Sequence, residues 1–344
     1  MKICIYGAGA IGGYLGVMLK RGGFDVSLIA RGAQLEAIKS RGCELRIGDK
    51  VYVESMPASQ DPADLGVQDY VIIGLKAHQA WDAAEKLRPL LGPDTAVVTA
   101  QNGVPWWYFY GLEGPYSGKR LTSVDPGNRQ WDAIGPERVI GCTVYPATET
   151  LEPGVIQHIY GNQFGLGEPN RKPSERVQRL ADALTASELK ARIYDDIRDD
   201  IWVKLWGNLC FNPISALTQA TLDIVATDPA TRALSRSMML EAKAIGDKFG
   251  ASFRVDVDRR IDGAAKVGPH KTSMLQDLLK GRGLEIDALV TAVHEMGRIA
   301  EVPTPYLDVV LGLVQQLGRV QGVYPTFPQV EAPALVEAVQ ARAS

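Results

Sequence analysis

Apolar and polar positions in the first hundred residues follow two alternating rhythms. Four short runs have the length and β-branched content of buried strands: Lys2–Tyr6 (KICIY), Asp25–Ala30 (DVSLIA), Tyr70–Leu75 (YVIIGL) and Thr95–Thr99 (TAVVT). Between them, Ala10–Arg21, a stretch near Ala33–Ser40 and another at about Gln79–Leu90 carry helical spacing. The first of these stops at Gly22-Gly23, a plausible helix C-cap. Strands alternating with helices of this length predict a parallel sheet covered on both faces. From Val104 to Asn170 the chain turns rich in Gly, Pro and aromatic residues. Strands are expected there at Val139–Tyr145, Gly154–Tyr160 and Gln163–Gly167, with an irregular insertion at 105–135. From about Pro173 onward the pattern is almost wholly helical, and Arg192–Arg198 reads as the link into a helical unit.

Gly7-Ala8-Gly9-Ala10-Ile11-Gly12 stands directly between the first expected strand and the first expected helix. The first glycine permits a tight turn, the second lets the backbone approach a pyrophosphate, and the third allows close helix–strand packing. The helix N-terminus then faces the anion. In this setting all six residues read as cofactor-binding, with a glycine-rich structural turn as the plain alternative. The fold class that follows is α/β: an N-terminal Rossmann-type dinucleotide-binding domain over 1–195, then an all-α domain over 196–344. An NAD site places Asp or Glu about 20 residues past the glycines. Here the position nineteen past Gly12 is Arg31, and no acidic residue lies between Val26 and Leu35. A guanidinium pairs with the 2′-phosphate that a carboxylate would repel, so NADP is favoured over NAD, unless Arg31 is only a solvated loop charge. Lys76 and Asn102-Gly103 follow the third and fourth strands, at the sheet edge where open α/β folds bind ligands. Taken singly, each is more often a turn residue, and the pair gains weight only together with the glycine fingerprint.

The helical half opens with a run in which Lys204, Asn208 and Asn212 recur at i, i+4 and i+8. They form one polar stripe among apolar neighbours such as Ile201, Leu205, Leu209 and Phe211. Buried polar groups are costly unless paired, so such a stripe suggests a polar ligand, and a desolvated lysine is a candidate proton donor. A partly exposed helix edge is the alternative.

Composition narrows the function. The 344 residues are 46% hydrophobic and 22% charged, as expected of a folded soluble protein. Lys and Arg total 37 against 40 Asp and Glu, a net charge of −3, which gives no basic field for nucleic acid. Four scattered cysteines (Cys4, Cys43, Cys142, Cys210) read as reduced thiols, and four histidines show no metal-ligand spacing. Residues 3–19 are uncharged and superficially like a signal peptide, but five glycines make them a poor membrane helix. A cytoplasmic protein with no metal, membrane or nucleic-acid role is expected.

The ordered set of GAGAIG with Arg31, Leu75-Lys76-Ala77, Gln101-Asn102-Gly103, Lys204…Asn208…Asn212-Pro213, Thr272-Ser273-Met274-Leu275-Gln276-Asp277 and Glu285-Ile286-Asp287 resembles the ketopantoate reductase (2-dehydropantoate 2-reductase) family over nearly the whole chain. The resemblance implies an NADP-dependent oxidoreductase using NADPH to reduce a 2-oxo acid to a 2-hydroxy acid. The leading substrate is ketopantoate, reduced to (R)-pantoate in pantothenate biosynthesis. It also implies roles: Lys204 as proton donor to the carbonyl oxygen, Asn208 and Asn212 as substrate hydrogen-bonders, and Ser273 as holder of the substrate carboxylate. Glu285 would close the site beside the nicotinamide ribose and the substrate hydroxyl, and Lys76, Asn102 and Ala147 would touch the cofactor. Two departures bear on the substrate. Trp106-Trp107-Tyr108-Phe109-Tyr110 is more aromatic than compact members of the family, so it either packs the insertion or walls a bulkier substrate. Thr218–Val225 lacks an asparagine that some members carry. A paralogue acting on a bulkier keto or hydroxy acid is therefore the nearest alternative, and a non-catalytic NADPH sensor the alternative of another class. A homodimer is possible through Leu307–Leu317, which is otherwise core.

Overall fold

Short apolar runs near the N-terminus become the centre of a large sheet because both of their faces are covered. The computed structural model describes residues 1–325, so residues 326–344 of the expected helical domain lie outside the described residues. The first half comprises β1 (Lys2–Tyr6), α1 (Ala10–Arg21), β2 (Asp25–Ile29), α2 (Gly32–Arg41), β3 (Cys43–Ile47), β4 (Lys50–Glu54), β5 (Ala58–Ser59), β6 (Gln68–Ile73), α3 (Ala77–Ala83) and β7 (Leu91–Ala100). After the aromatic loop come α4 (Arg129–Ile134), β8 (Val139–Val144), β9 (Ala147–Glu152), β10 (Val155–Tyr160), β11 (Gln163–Gly167), α5 (Glu175–Ala186) and β12 (Lys190–Ile193). Eight strands pair in the order β12-β11-β8-β7-β6-β1-β2-β5, with only β8 and β11 antiparallel. Parallel strands buried on both faces read as continuous apolar runs, which is why β1, β6 and β7 were visible in the sequence.

A second sheet, ordered β4-β3-β10-β9, lies on the outer side of α1. The helix is thus held between two sheets, and every residue from Gly12 to Leu19 is buried. This double cover explains the uncharged segment 3–19: a helix apolar all round is a core helix. Gly13 permits the approach, since a Cβ there would lie 2.7 Å from Ile156 Cγ1. Strands β3, β4, β5, β9 and β12 are not among those expected from the sequence. β3 and β4 are half-exposed, with Val51 and Val53 on the open face, and β12 is a four-residue edge strand carrying Lys190 and Arg192. Short charged edges carry little hydrophobic signal. The expected link at Arg192–Arg198 is therefore corrected: its first two residues close the main sheet.

The second half is helical: α6 (Ile197–Thr218), α7 (Leu222–Thr227), α8 (Pro229–Lys248), α9 (Val257–Ala265), α10 (Ser273–Leu279), a π turn at Asp287–Thr291 leading into α11 (Ala292–Ile299), and α12 (Pro305–Val320). The fold is thus α/β with a helical C-terminal region, as expected from the sequence. α6 is its axis and is buried along most of its length. Asp196 caps its first turn, accepting from Arg198 N at 3.0 Å. No helix of the described residues is long and apolar enough to cross a membrane.

The aromatic insertion packs between sheet and helices. Trp106, Trp107, Tyr108 and Phe109 are each at most 3% exposed. Trp107 Nε1 donates to Thr99 Oγ1 at 2.9 Å, and Trp202 Nε1 donates to the Tyr108 hydroxyl at 2.7 Å. All four rings are buried in this junction, and Trp106 and Trp107 also line the cavity beside Asn102 and Ala77. Arg198, 1% exposed, fastens the loop to α6. Its guanidinium donates to Tyr108 O at 2.7 Å, Pro169 O at 2.8 Å and Tyr110 O at 2.6 Å. Its nearest carboxylate is the capping Asp196 at 3.3 Å.

Replacing Arg198 by Met strands three buried carbonyls, each costing about 1–3 kcal/mol when unpaired. Arg198→Met is expected to lower the unfolding free energy by at least ~2 kcal/mol in equilibrium denaturation. A change within ~0.5 kcal/mol would show that the guanidinium does not hold the junction.

Candidate active site

The carboxyl ends of the parallel strands open towards one end of α1. Gly7, at φ +104°, makes the turn out of β1 and donates its N–H to Ile29 O at 3.0 Å. Gly12 packs so tightly beneath it that a Cβ would collide with the Gly7 carbonyl. Above Gly9 the situation is reversed, with nothing within 4 Å of where a Cβ would be. Gly9 begins α1 without a side-chain cap, and the first turn, from Ala10 and Ile11 on, carries no acid. Its orphan N–H groups and positive dipole end are free for an anion, and the open space fits a pyrophosphate. Ala8 is buried below, its carbonyl accepting from Gln34 Nε2 at 2.7 Å. Arg31 stands exposed just past β2 at the start of α2, whose first turn also lacks an acid. That surrounding suits a ribose 2′-phosphate better than a free diol.

Two loops at the next strand ends meet the helical half. Lys76 donates to Asp277 Oδ2 at 2.7 Å and to Gly283 O at 2.9 Å. Beside it, Ala77 N makes a long bond of 3.4 Å to Glu285 Oε1. Gly103 admits the backbone of the π turn, since a Cβ there would collide with Ala288 O, and Val104 N donates to that carbonyl at 2.8 Å. Ala147 opens β9, half-buried.

Helix α6 places Lys204, Asn208 and Asn212 on one side, facing these loops. Lys204 Nζ donates to Asn102 Oδ1 at 2.6 Å and also to Val144 O. The Tyr145 ring centroid is 5.7 Å from the same nitrogen. Burial lowers the Lys204 pKa to about 8, against the opposing pull of Cys142, Glu285 and Asp200. The Cys142 thiol, itself buried, is pushed up to about 12 and stays neutral. Burial raises the Glu285 carboxyl above its ordinary value, with Lys76, the Ala77 N–H and Lys204 resisting. Further along, Asn212 Nδ2 donates to Ser273 Oγ at 3.2 Å. The half-buried Asn208 side chain has no hydrogen-bond partner among the described residues.

Lys204 and Asn102 are thus in direct contact with the Glu285 charge nearby, Asn212 and Ser273 form a neutral pair, and the glycine turn with Arg31 lies apart from both. Sequence reasoning gives no site role to Asp277, Tyr145 or Asp200. Asp200 is buried on α6 one turn before Lys204, bound by Thr143 Oγ1 and by the Tyr145 hydroxyl at 2.9 Å. Tyr145 directly follows β8, so the strand-end rule that selected Lys76 and Asn102 would also have found it.

Comparison with known proteins adds an independent line. Residues 3–114 match the family profile described as ketopantoate reductase PanE/ApbA, and residues 196–318 match its C-terminal counterpart. A 2-dehydropantoate 2-reductase of Mesorhizobium japonicum is 55% identical over 325 residues, covering 94% of this chain and all of that protein. A crystal structure assigned to a ketopantoate reductase of Ralstonia solanacearum MolK2 superposes with a TM-score of 0.90 at 42% identity, covering 94% of this chain and 99% of that one. A PanE/ApbA family ketopantoate reductase of Ralstonia eutropha JMP134 gives 0.81 at 27% identity, covering 94% and 100%.

The buried ammonium has a measurable signature. Heteronuclear NMR of lysine-labelled protein should give Lys204 a titration midpoint near 8, with the ammonium form below it. Glu285→Gln removes a charge that favours the ammonium, so the midpoint should fall further. A midpoint at the ordinary lysine value would mean that the side chain is solvated.

Proposed function

The chain belongs to the ketopantoate reductase family, and from that premise we propose that its cleft reduces ketopantoate to pantoate with NADPH, through Lys204 as proton donor. The protein is an NADP-dependent oxidoreductase with a small-molecule substrate. The observation carrying the proposal is one buried ammonium, Lys204, held at 2.6 Å from Asn102 beside Glu285, where strand ends and α6 converge. Gly7, Ala8, Gly9, Ala10, Ile11 and Gly12 would hold the pyrophosphate and Arg31 the 2′-phosphate. Lys76, Asn102, Ala147 and Glu285 would face the nicotinamide half.

When bound, NADPH supplies the hydride that converts the ketone carbon into a carbinol. Negative charge then grows on the ketone oxygen, and an ammonium beside that oxygen stabilises it. Lys204 gives its proton to this oxygen, a transfer helped by a pKa near the working pH. Asn102 and the Val144 carbonyl hold Nζ in place by accepting from it. The free Asn208 amide and the Asn212–Ser273 pair offer hydrogen bonds for the remaining substrate oxygens, and Glu285 closes the far side. A set of preorganised donors aimed at developing charge favours a reductase over a silent NADPH sensor. The same reading places the enzyme in the cytoplasm, supported by four buried, unpaired cysteines.

Dimerisation belongs to the proposal as well. On α12, Leu307, Val310, Leu311 and Val314 are core, whereas Tyr306 (50%), Val309 (62%), Leu313 (53%) and Val320 (74%) form an exposed apolar stripe. A second copy covering this stripe would bury it.

Two outcomes follow. Lys204→Ala should cut turnover of ketopantoate by about 10²–10⁴-fold, the usual worth of a positioned proton donor, with NADPH affinity nearly unchanged. Wild-type turnover should also fall as pH rises through about 8, where the ammonium is lost. Unchanged turnover in the variant would refute the role. In sedimentation velocity, the wild type should run as a dimer and Val309→Glu/Leu313→Glu as a monomer of 37.3 kDa subunits. A monomeric wild type would remove the stripe from consideration.

A further inference from the structure

Arg260 on α9 is a cation with no counter-charge in a place where one is needed. Its guanidinium packs against Gly207, one residue before Asn208 and three after Lys204. A Cβ at position 207 would collide with Nη2, so the glycine creates the space that the guanidinium fills. The only hydrogen bond it makes among the described residues is a long one of 3.4 Å, from Nε to Val203 O. The acids of its own helix are engaged elsewhere: Asp262 pairs with Arg232 at 2.8 Å, Asp258 pairs with Arg236 at 3.1 Å, and Asp256 caps the helix. The ionisable groups felt by its charge are Tyr145 and Cys210, and burial raises both, leaving them neutral. Part of the residue stays open to solvent, yet protein surrounds its charge closely enough to lower its pKa. Its place against Gly207 sets the guanidinium beside the turn of α6 that carries Lys204 and Asn208.

A buried cation without a partner is costly, and an arginine offers a planar fork of donors suited to a carboxylate. Tyr145 connects this cation to the reduction site, because its ring also stands 5.7 Å from Lys204 Nζ. We propose that Arg260 is a specificity-determining residue whose guanidinium takes the carboxylate of the 2-oxo acid. This rests on the reading of the cleft as the reduction site. Ser273, to which the family resemblance gives the carboxylate, is a neutral hydroxyl and brings no charge. With Lys204 committed to the ketone oxygen, Arg260 supplies the charge that distinguishes an acid from its neutral ester.

The test measures steady-state reduction of ketopantoate together with inhibition by pantoate and by pantolactone, its uncharged internal ester. Arg260→Gln should raise the KM for ketopantoate and the Ki of pantoate by about 10–100-fold, the loss expected for a charged hydrogen bond. Turnover at saturation, NADPH affinity and the Ki of pantolactone should change by less than about threefold, and Arg260→Lys should recover part of the loss. Gly207→Ala, which displaces the guanidinium without removing it, should show the same acid-selective weakening and covers the case in which Arg260→Gln folds poorly. Equal weakening of pantoate and pantolactone, or an unchanged KM, would overturn the role of Arg260. A wild type that fails to reduce ketopantoate would instead overturn the proposed function, so the two failures are distinguishable.

Discussion

The junction between sheet and helices depends on the Arg198 guanidinium, which has three loop carbonyls as its main acceptors. Those carbonyls come from the aromatic insertion and from the turn after β11, so one side chain ties two parts of the sheet domain to the start of α6. Everything chemical on α6 lies downstream of that anchor. A helix rises about 1.5 Å per residue, so Lys204 stands roughly 9 Å beyond it, with Asn208 and Asn212 about 6 Å apart in turn. If the start of α6 were free to rock, the contact of Lys204 with Asn102 and Val144 would be lost first. The burial of Trp107, Tyr108 and Trp202 around the anchor makes the same point in packing rather than polar terms.

Charge is distributed unevenly between surface and cleft. The chain is slightly acidic overall, yet Arg31 follows β2, Lys76 follows β6, Lys204 meets Asn102 at the end of β7, and Arg260 packs against the turn of α6 next to Lys204. A site that takes a dinucleotide phosphate and an organic acid needs this local excess of cations. The carboxylates among them act locally: Asp277 steadies Lys76, and Asp200, held by Thr143 and Tyr145, sits one turn from Lys204. Burial works on both sides of the Lys204–Glu285 pair, lowering one pKa and raising the other, so the two values approach each other.

Several features were legible because they rest on local rules. A buried parallel strand needs an apolar run, so β1, β2, β6 and β7 could be read directly. The glycine turn could be read because only glycine tolerates the packing of residue 12 on residue 7. The spacing of Lys204, Asn208 and Asn212 is a property of any α-helix. Other features had no local signal. β3 and β4 are half-exposed and β12 is charged, so no periodicity marks them. That a second sheet covers the outer side of α1 is likewise invisible in the residues of 3–19 themselves.

The sequence by itself determined the α/β class, a glycine turn at Gly7–Gly12 between strand and helix, an arginine in place of an acid just past β2, and a polar stripe on one helix. Each follows from residues close together in the chain, where covalent geometry and helical pitch set the relation. Only the tertiary structure decided that Lys204 meets Asn102 across a gap of a hundred residues, that Glu285 lies near both Lys76 and Lys204, and that Arg260 has no counter-charge. It also decided that the Trp106–Phe109 rings are buried between sheet and helices. Burial, and therefore pKa, depends on what the rest of the chain places around a group, and no local pattern carries that information.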